Sequence, residues 1–128
     1  MKTVSPDDAR GLILSGKAPS GLHVEGYLYL HGCTSINSLP EGLHVGGYLY
    51  LVGCTSLKSL PEGMHVRGSL YLFKCTSLKR LPYSIHVGGS ILCDPELIEN
   101  LPYEDLPLYM GLKWDNQKTF DKRLEGAL

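Results

Sequence analysis

No apolar run in this sequence approaches the roughly 18 residues that a membrane helix needs, and the first residues, Met1-Lys2-Thr3-Val4-Ser5-Pro6-Asp7-Asp8, carry no apolar stretch suited to secretion. A cytoplasmic protein that does not engage membranes is the expectation. Charge of one sign is also scarce: the net is −1, with 20% charged residues against 43% hydrophobic ones. A chain so balanced neither stays open by self-repulsion nor offers the basic surface that tight nucleic-acid binding requires. Close cysteine pairs of the zinc-site kind are missing, as are a Walker loop and a dinucleotide fingerprint. At 128 residues the chain suits one domain with a single core.

What is present is repetition with a period of 21. Gly21 to Ile36 recurs as Gly42 to Leu57 and as Gly63 to Leu78, and a fourth copy from Ser84 decays at Cys93, where Asp94-Pro95 replaces the Gly-Cys segment. Pro19, Pro40, Pro61 and Pro82 mark the seams. Within a copy the apolar positions alternate, as in Leu22, Val24, Leu28 and Leu30, which is a strand signal. Gly26, Gly47, Gly68 and Gly89 interrupt that alternation and are read as corners between a short Leu-His-Val strand and a Tyr-Leu-Tyr-Leu strand. Stacked at the roughly 4.8 Å spacing of neighbouring strands, the copies place like over like. Inward ladders run through Leu22, Val24, Leu28, Leu30, Cys33, Ile36 and Leu39 and their equivalents. One coil cannot bury its own edge, so the ends need caps.

Leu49-x-Leu51-x-x-Cys54-x-x-Leu57-x-x-Leu60-Pro61 resembles the leucine-rich repeat in its short bacterial form. The repeats are also similar to all-strand solenoids with Leu-Pro-Glu-Gly-Leu-x-Val-Gly-Gly units in bacterial and phage proteins. The resemblance implies a binding scaffold: a mainly β, short-coil leucine-rich-repeat-like β-solenoid of about four coils. Residues 1–17 would form an N-terminal helical cap, 18–93 the repeats and 94–128 a mixed C-terminal cap. Ser5-Pro6-Asp7-Asp8 before Ala9, Leu12 and Ile13 predicts the first helix. Asp94-Pro95-Glu96 predicts a helical turn, Leu101 to Trp114 an extended segment, and Asn116 to Leu124 a final helix. The C-terminal cap holds eight acids and four bases, net −4.

Chemistry-bearing residues follow the same period. Cys33, Cys54 and Cys75 are expected to be buried, reduced structural thiols. His23, His44, His65 and His86 form an outward row that could bind a divalent metal or sense acid, but duplication copies every residue, useful or not, and no functional ion is expected. No catalytic serine or cysteine stands beside an oriented histidine. Neither an enzyme nor a cofactor is expected. The outward face of the second strand differs in kind, with Tyr27, Tyr29 and His31, then Tyr48, Tyr50 and Val52, then Tyr71 and Phe73, with Lys74 at its margin. Tyrosine brings large contact area and a hydroxyl at little entropic loss, so this face is the expected site for a protein partner. Lys58, Arg67, Lys79 and Arg80 are placed as an electrostatic rim. An inhibitor that occludes a host enzyme is one version, suggested by size and family resemblance. Nucleic-acid or carbohydrate binding by stacked tyrosines is the alternative, and a metal-dependent enzyme using the histidine row is a second.

Overall fold

The computed structural model describes residues 3–128; the first two residues of the expected N-terminal cap lie outside them. Two five-stranded parallel sheets run along a stack of coils, and a strand pair recurs at the 21-residue spacing. One sheet contains β1 (Thr3–Val4), β2 (His23–Val24), β4 (His44–Val45), β6 (His65–Val66) and β8 (His86–Val87), in that order. The other contains β3 (Leu28–Tyr29), β5 (Leu49–Tyr50), β7 (Leu70–Tyr71), β9 (Ser90–Leu92) and β10 (Lys113–Trp114). The register is that of the repeat: His23 pairs with His44, Tyr29 with Tyr50 and Leu70 with Ile91. Backbone bonds pass from coil to coil outside the strands too, as in Gly32 N–H to the Val52 carbonyl at 2.8 Å.

Every inward ladder of the three complete copies is buried, and Leu28, Leu49, Leu70 and Ile91 are fully enclosed. Burial of a leucine is worth roughly 1.5–3 kcal/mol, so the core stabilises the stack where a lone coil would expose one edge of every ladder. The strands themselves are short, two residues in each complete coil. Helical segments of 9, 6, 7 and 11 residues occupy the ends. By residue content the chain is therefore mixed α/β, which corrects the mainly β expectation: each coil needs only a short strand at each sheet because turns supply the rest.

The caps follow from local rules. Helix α1 (Pro6–Leu14) has Ser5 as N-cap, whose hydroxyl oxygen accepts the Asp8 N–H at 3.2 Å, and it buries Ala9 and Ile13 over the first coil. Helix α2 (Pro95–Asn100) buries Leu97 and Ile98, and α3 (Gln117–Ala127) buries Phe120. Leu101 to Trp114 is not an extended cover. It holds a 3-10 helix, Tyr103–Tyr109, and then β10, whose Trp114 pairs with Ile91 and stacks on Phe120 at 5.0 Å. Asp105 fixes this segment. Buried, it accepts from Arg80 Nε at 3.0 Å and from the Tyr83 hydroxyl at 3.2 Å.

The mid-repeat glycines answer to two constraints. Gly26 has the left-handed φ of 81° that suits a corner. Gly68 has no such φ; a Cβ there would stand 2.9 Å from the carbonyl carbon and oxygen of Gly47 in the coil below. Close stacking of backbones, rather than bending, excludes a side chain at this rung. We expect Gly68→Ala to lower stability by about 1–3 kcal/mol, as overpacking does. Lys74 gives the opposite case. Its φ is 61°, in the place where Gly32 and Gly53 have 67° and 79°, so Lys74→Gly should raise stability by about 0.5–1 kcal/mol. Urea unfolding of both variants measures the two signs.

Candidate functional site

The second sheet carries the tyrosines because alternation leaves positions 27, 29 and 31 outward when 28 and 30 point into the core. Tyr27, Tyr29 and Tyr48 are 58%, 51% and 55% exposed, and Tyr50 and Tyr71 are half-buried by their neighbours. Tyr29 stacks on Tyr50 with ring centroids 4.8 Å apart and planes 14° apart, and Tyr50 meets Tyr71 at 5.0 Å and 37°. Tyr48 meets Tyr71 edge-on at 6.1 Å. His31 lies 5.8 Å from both Tyr29 and Tyr50. Five of the eight expected site residues, Tyr29, His31, Tyr48, Tyr50 and Tyr71, thus share one aromatic network, with Tyr27 exposed beside it.

Phe73 and Lys74 stand apart from it. Phe73 is half-buried in the row that begins at His31, and its carbonyl accepts the Gly53 N–H at 2.9 Å. The Lys74 N–H donates to the Asp94 carboxylate at 2.7 Å, a side chain standing in for the carbonyl that the next coil would offer. Of the expected rim, Arg80 is bound to Asp105, so its charge is already paired. Asp105 was not legible as a structural residue. An acid between Glu104 and Leu106 reads as a surface turn, and its partners lie 25 and 22 positions away.

Exposed ring edges and hydroxyls are what this face offers. The faces of Tyr50 are turned toward Tyr29 on one side and Tyr71 on the other. Such mutual stacking holds side chains in fixed rotamers and contributes roughly 0.2–1 kcal/mol per pair. The surface is apolar with phenolic donors and acceptors distributed along it, and its central rings are already stacked before any contact is made.

The histidine row lies on the other sheet. Its rings are 4.2, 4.7 and 4.2 Å apart from His23 through His86. A cleft of about 470 Å³ there is lined by Thr3, Glu25 and Arg67 together with His23, His44 and His65. Glu25, at the corner after β2, is the carboxylate among the residues that line this cleft. Among the described residues, though, no three His, Cys, Asp or Glu side chains are grouped to hold a metal ion. Burial, then the neighbouring His23, hold His44 below the ordinary histidine pKa. His65 is lowered by burial, then by His86, His44 and Arg67.

All four cysteines are buried free thiols. The Cys54 thiol donates to the Leu30 carbonyl, and the Cys75 thiol to that of Leu51, each at 3.1 Å. Both bonds cross to the preceding coil. Cys33 has no coil before it, and Arg10 of α1 approaches its sulfur at 3.8 Å instead. Burial raises the pKa of Cys54 and pushes Cys75 and Cys93 up to about 12.

Two outcomes follow from these groups. For the histidines the folded pKa lies below the unfolded value near 6.5, so the unfolded chain takes up more protons as pH falls. Stability should therefore be full above about pH 6.5 and decline as pH drops through the folded values. His44→Gln/His65→Gln should flatten urea midpoints between about pH 7 and 5, and an equal slope in wild type and variant would contradict this origin. For the thiols, a native disulfide-exchange reagent at pH 8 should label Cys54, Cys75 and Cys93 far more slowly than a free peptide thiol, with full reaction on unfolding.

No protein-family model matches the chain, and no curated protein or solved structure matches it.

Proposed function

We propose that this chain is a leucine-rich-repeat-like solenoid acting as a non-enzymatic interaction module in the cytoplasm, and that it binds a protein partner on the outward tyrosine face. The observation that carries this reading is the pre-stacked Tyr29–Tyr50–Tyr71 ladder with Tyr27 and Tyr48 exposed beside it. Ordering of large side chains is among the costs of association, and rings held by one another have little ordering left to lose. Tyrosines at the centre of an interface are also frequent sources of binding energy. An inhibitor that covers a host enzyme's surface is the version of this module that its size and family resemblance favour.

The ring geometry weighs against the alternative of base or sugar stacking. A base needs a free aromatic face, and the central rings have theirs turned to one another. Enzymatic use of the histidine row gains no support either, because the row repeats at each rung without a grouped set of ligands.

Replacing Tyr29, Tyr50 or Tyr71 singly by Ser should change stability by under about 1 kcal/mol, since each position is at least partly solvated. Each should weaken partner capture, with Tyr50 most severe at more than about tenfold, a loss of about 1.4 kcal/mol or more. Affinity capture with wild type and the Tyr50→Ser/Tyr71→Ser variant, followed by titration of the captured protein, checks this. Undiminished capture by the double variant, with loss on His44→Ala or His65→Ala, would move the site to the other sheet.

A further inference from the structure

The two sheets end differently. At the N-terminal end β1 lies along β2 and α1 packs over β3, and at the C-terminal end β10 closes β9. Strand β8, at the end of the histidine sheet, has no strand paired to its outer edge among the described residues. In the coil before it, the Met64 and Val66 carbonyls accept the His86 and Gly88 N–H groups at 3.0 and 2.8 Å. The equivalent carbonyls one coil on, those of Ile85 and Val87, receive no such bond among the described residues.

The core beside this edge is also unfinished. Ile85 and Val87 continue ladders whose earlier members are at most 4% exposed, yet both are only partly buried. A cavity of about 240 Å³ separates β8 from the 3-10 helix and the turn after it, lined by Ile85, Val87, Leu108 and Leu112 among others. Leu108 and Tyr83, which also line it, are both more than half exposed. The patch is therefore a missing rung: two waiting carbonyls, two half-covered apolar side chains and a slot whose walls carry polar groups beside Ile85, Val87, Leu108 and Leu112.

We propose that the β8 edge takes an extended segment of a partner protein as an added parallel strand, with the pattern apolar–acidic–apolar. Register dictates the pattern. Apolar residues would extend the Ile85 and Val87 ladders, and the residue between them would continue the outward row beyond His86. That row argues for an acid there. The Arg67 guanidinium is a cation on this side, the rings of His65 and His86 offer N–H donors to a carboxylate, the cavity is lined by no carboxylate, and Glu25, the acid on this face, belongs to the first coil. The segment's acidic residue would donate its N–H to the Ile85 carbonyl, and the residue two further on would donate to that of Val87. Strand addition of this kind draws affinity from main-chain bonds and specificity from alternate side chains. This site is separate from the tyrosine face, and neither reading depends on the other.

The test uses the full isotope-labelled chain and the acetylated, amidated peptide Ser-Val-Glu-Val-Ser, followed by amide chemical shifts. Saturable changes confined to Ile85–Gly88 and Leu108–Leu112 are expected. N-methylation of the glutamate amide should weaken binding about tenfold, the equivalent of one backbone hydrogen bond. Replacing the peptide's glutamate by lysine should weaken it severalfold, as should Leu108→Ser in the protein. Equal binding by the N-methylated peptide would reduce the contact to apolar adhesion and overturn strand addition. Shifts on Tyr29–Tyr71 alone, or none at millimolar peptide, would also overturn it. So would concentration-dependent shifts of Ile85–Gly88 without peptide, because a second copy of the chain would then be the occupant.

Discussion

Parallel backbone pairing between coils is the constraint on which the rest of this molecule depends. Each complete coil contributes only two-residue strands, so no coil has a sheet of its own. Hydrogen bonds instead run along the stack, and their register places each residue over the one 21 positions away. From that placement come the apolar columns, the thiol-to-carbonyl bonds of Cys54 and Cys75, the imidazole row and the tyrosine stack. A single repeated unit thus produces two unlike surfaces. One consists of closely spaced ionisable rings whose charged forms repel, the other of neutral rings that attract by stacking.

The same constraint explains where side chains are forbidden. Backbones approach closely at the glycine corners, and a Cβ at Gly88 would meet the Arg67 carbonyl oxygen. Inward positions vary only among apolar side chains, as where Met64 stands in the place of Leu22 and Leu43, and wider variation lies on the outer sides of the coils. His31, Val52 and Phe73 occupy equivalent outward positions and differ freely, while the residues facing inward at 30, 51 and 72 are all leucine.

Most of the array was legible in the sequence because stacking converts a sequence period directly into spatial neighbours. The inward columns through Leu22, Leu28 and Leu30, the capping of α1 by Ser5, and the shared face of Tyr29, Tyr50 and Tyr71 all follow from spacing and local chemistry. Legibility ended where repetition ended. Residues 101–114 carry Pro102 and Pro107 without apolar periodicity, and their form is set by contacts far away in sequence, such as Asp105 with Arg80 and the Tyr109 hydroxyl with the Leu81 carbonyl. The dual role of the glycines was equally hidden. Gly26 and Gly68 hold the same place in the repeat, yet only the coil beneath Gly68 supplies the backbone that excludes a side chain.

The terminal coils are each fitted to something no interior coil possesses: Cys33 to Arg10 of the first helix, and the Lys74 turn to the Asp94 carboxylate. The coil spanning residues 42–62 has a repeat on both sides and, among the described residues, makes no hydrogen bond to either cap; its Glu62 carboxylate accepts from the Ser84 hydroxyl of the last copy. Copy number is therefore free to change in the middle of this chain and fixed at its boundaries. Duplication or loss of a whole central unit would lengthen or shorten both ring arrays by about 4.8 Å per step, leaving each cap on the coil it already fits. A lineage built on this plan can adjust the span of its surfaces in discrete increments without redesigning an end.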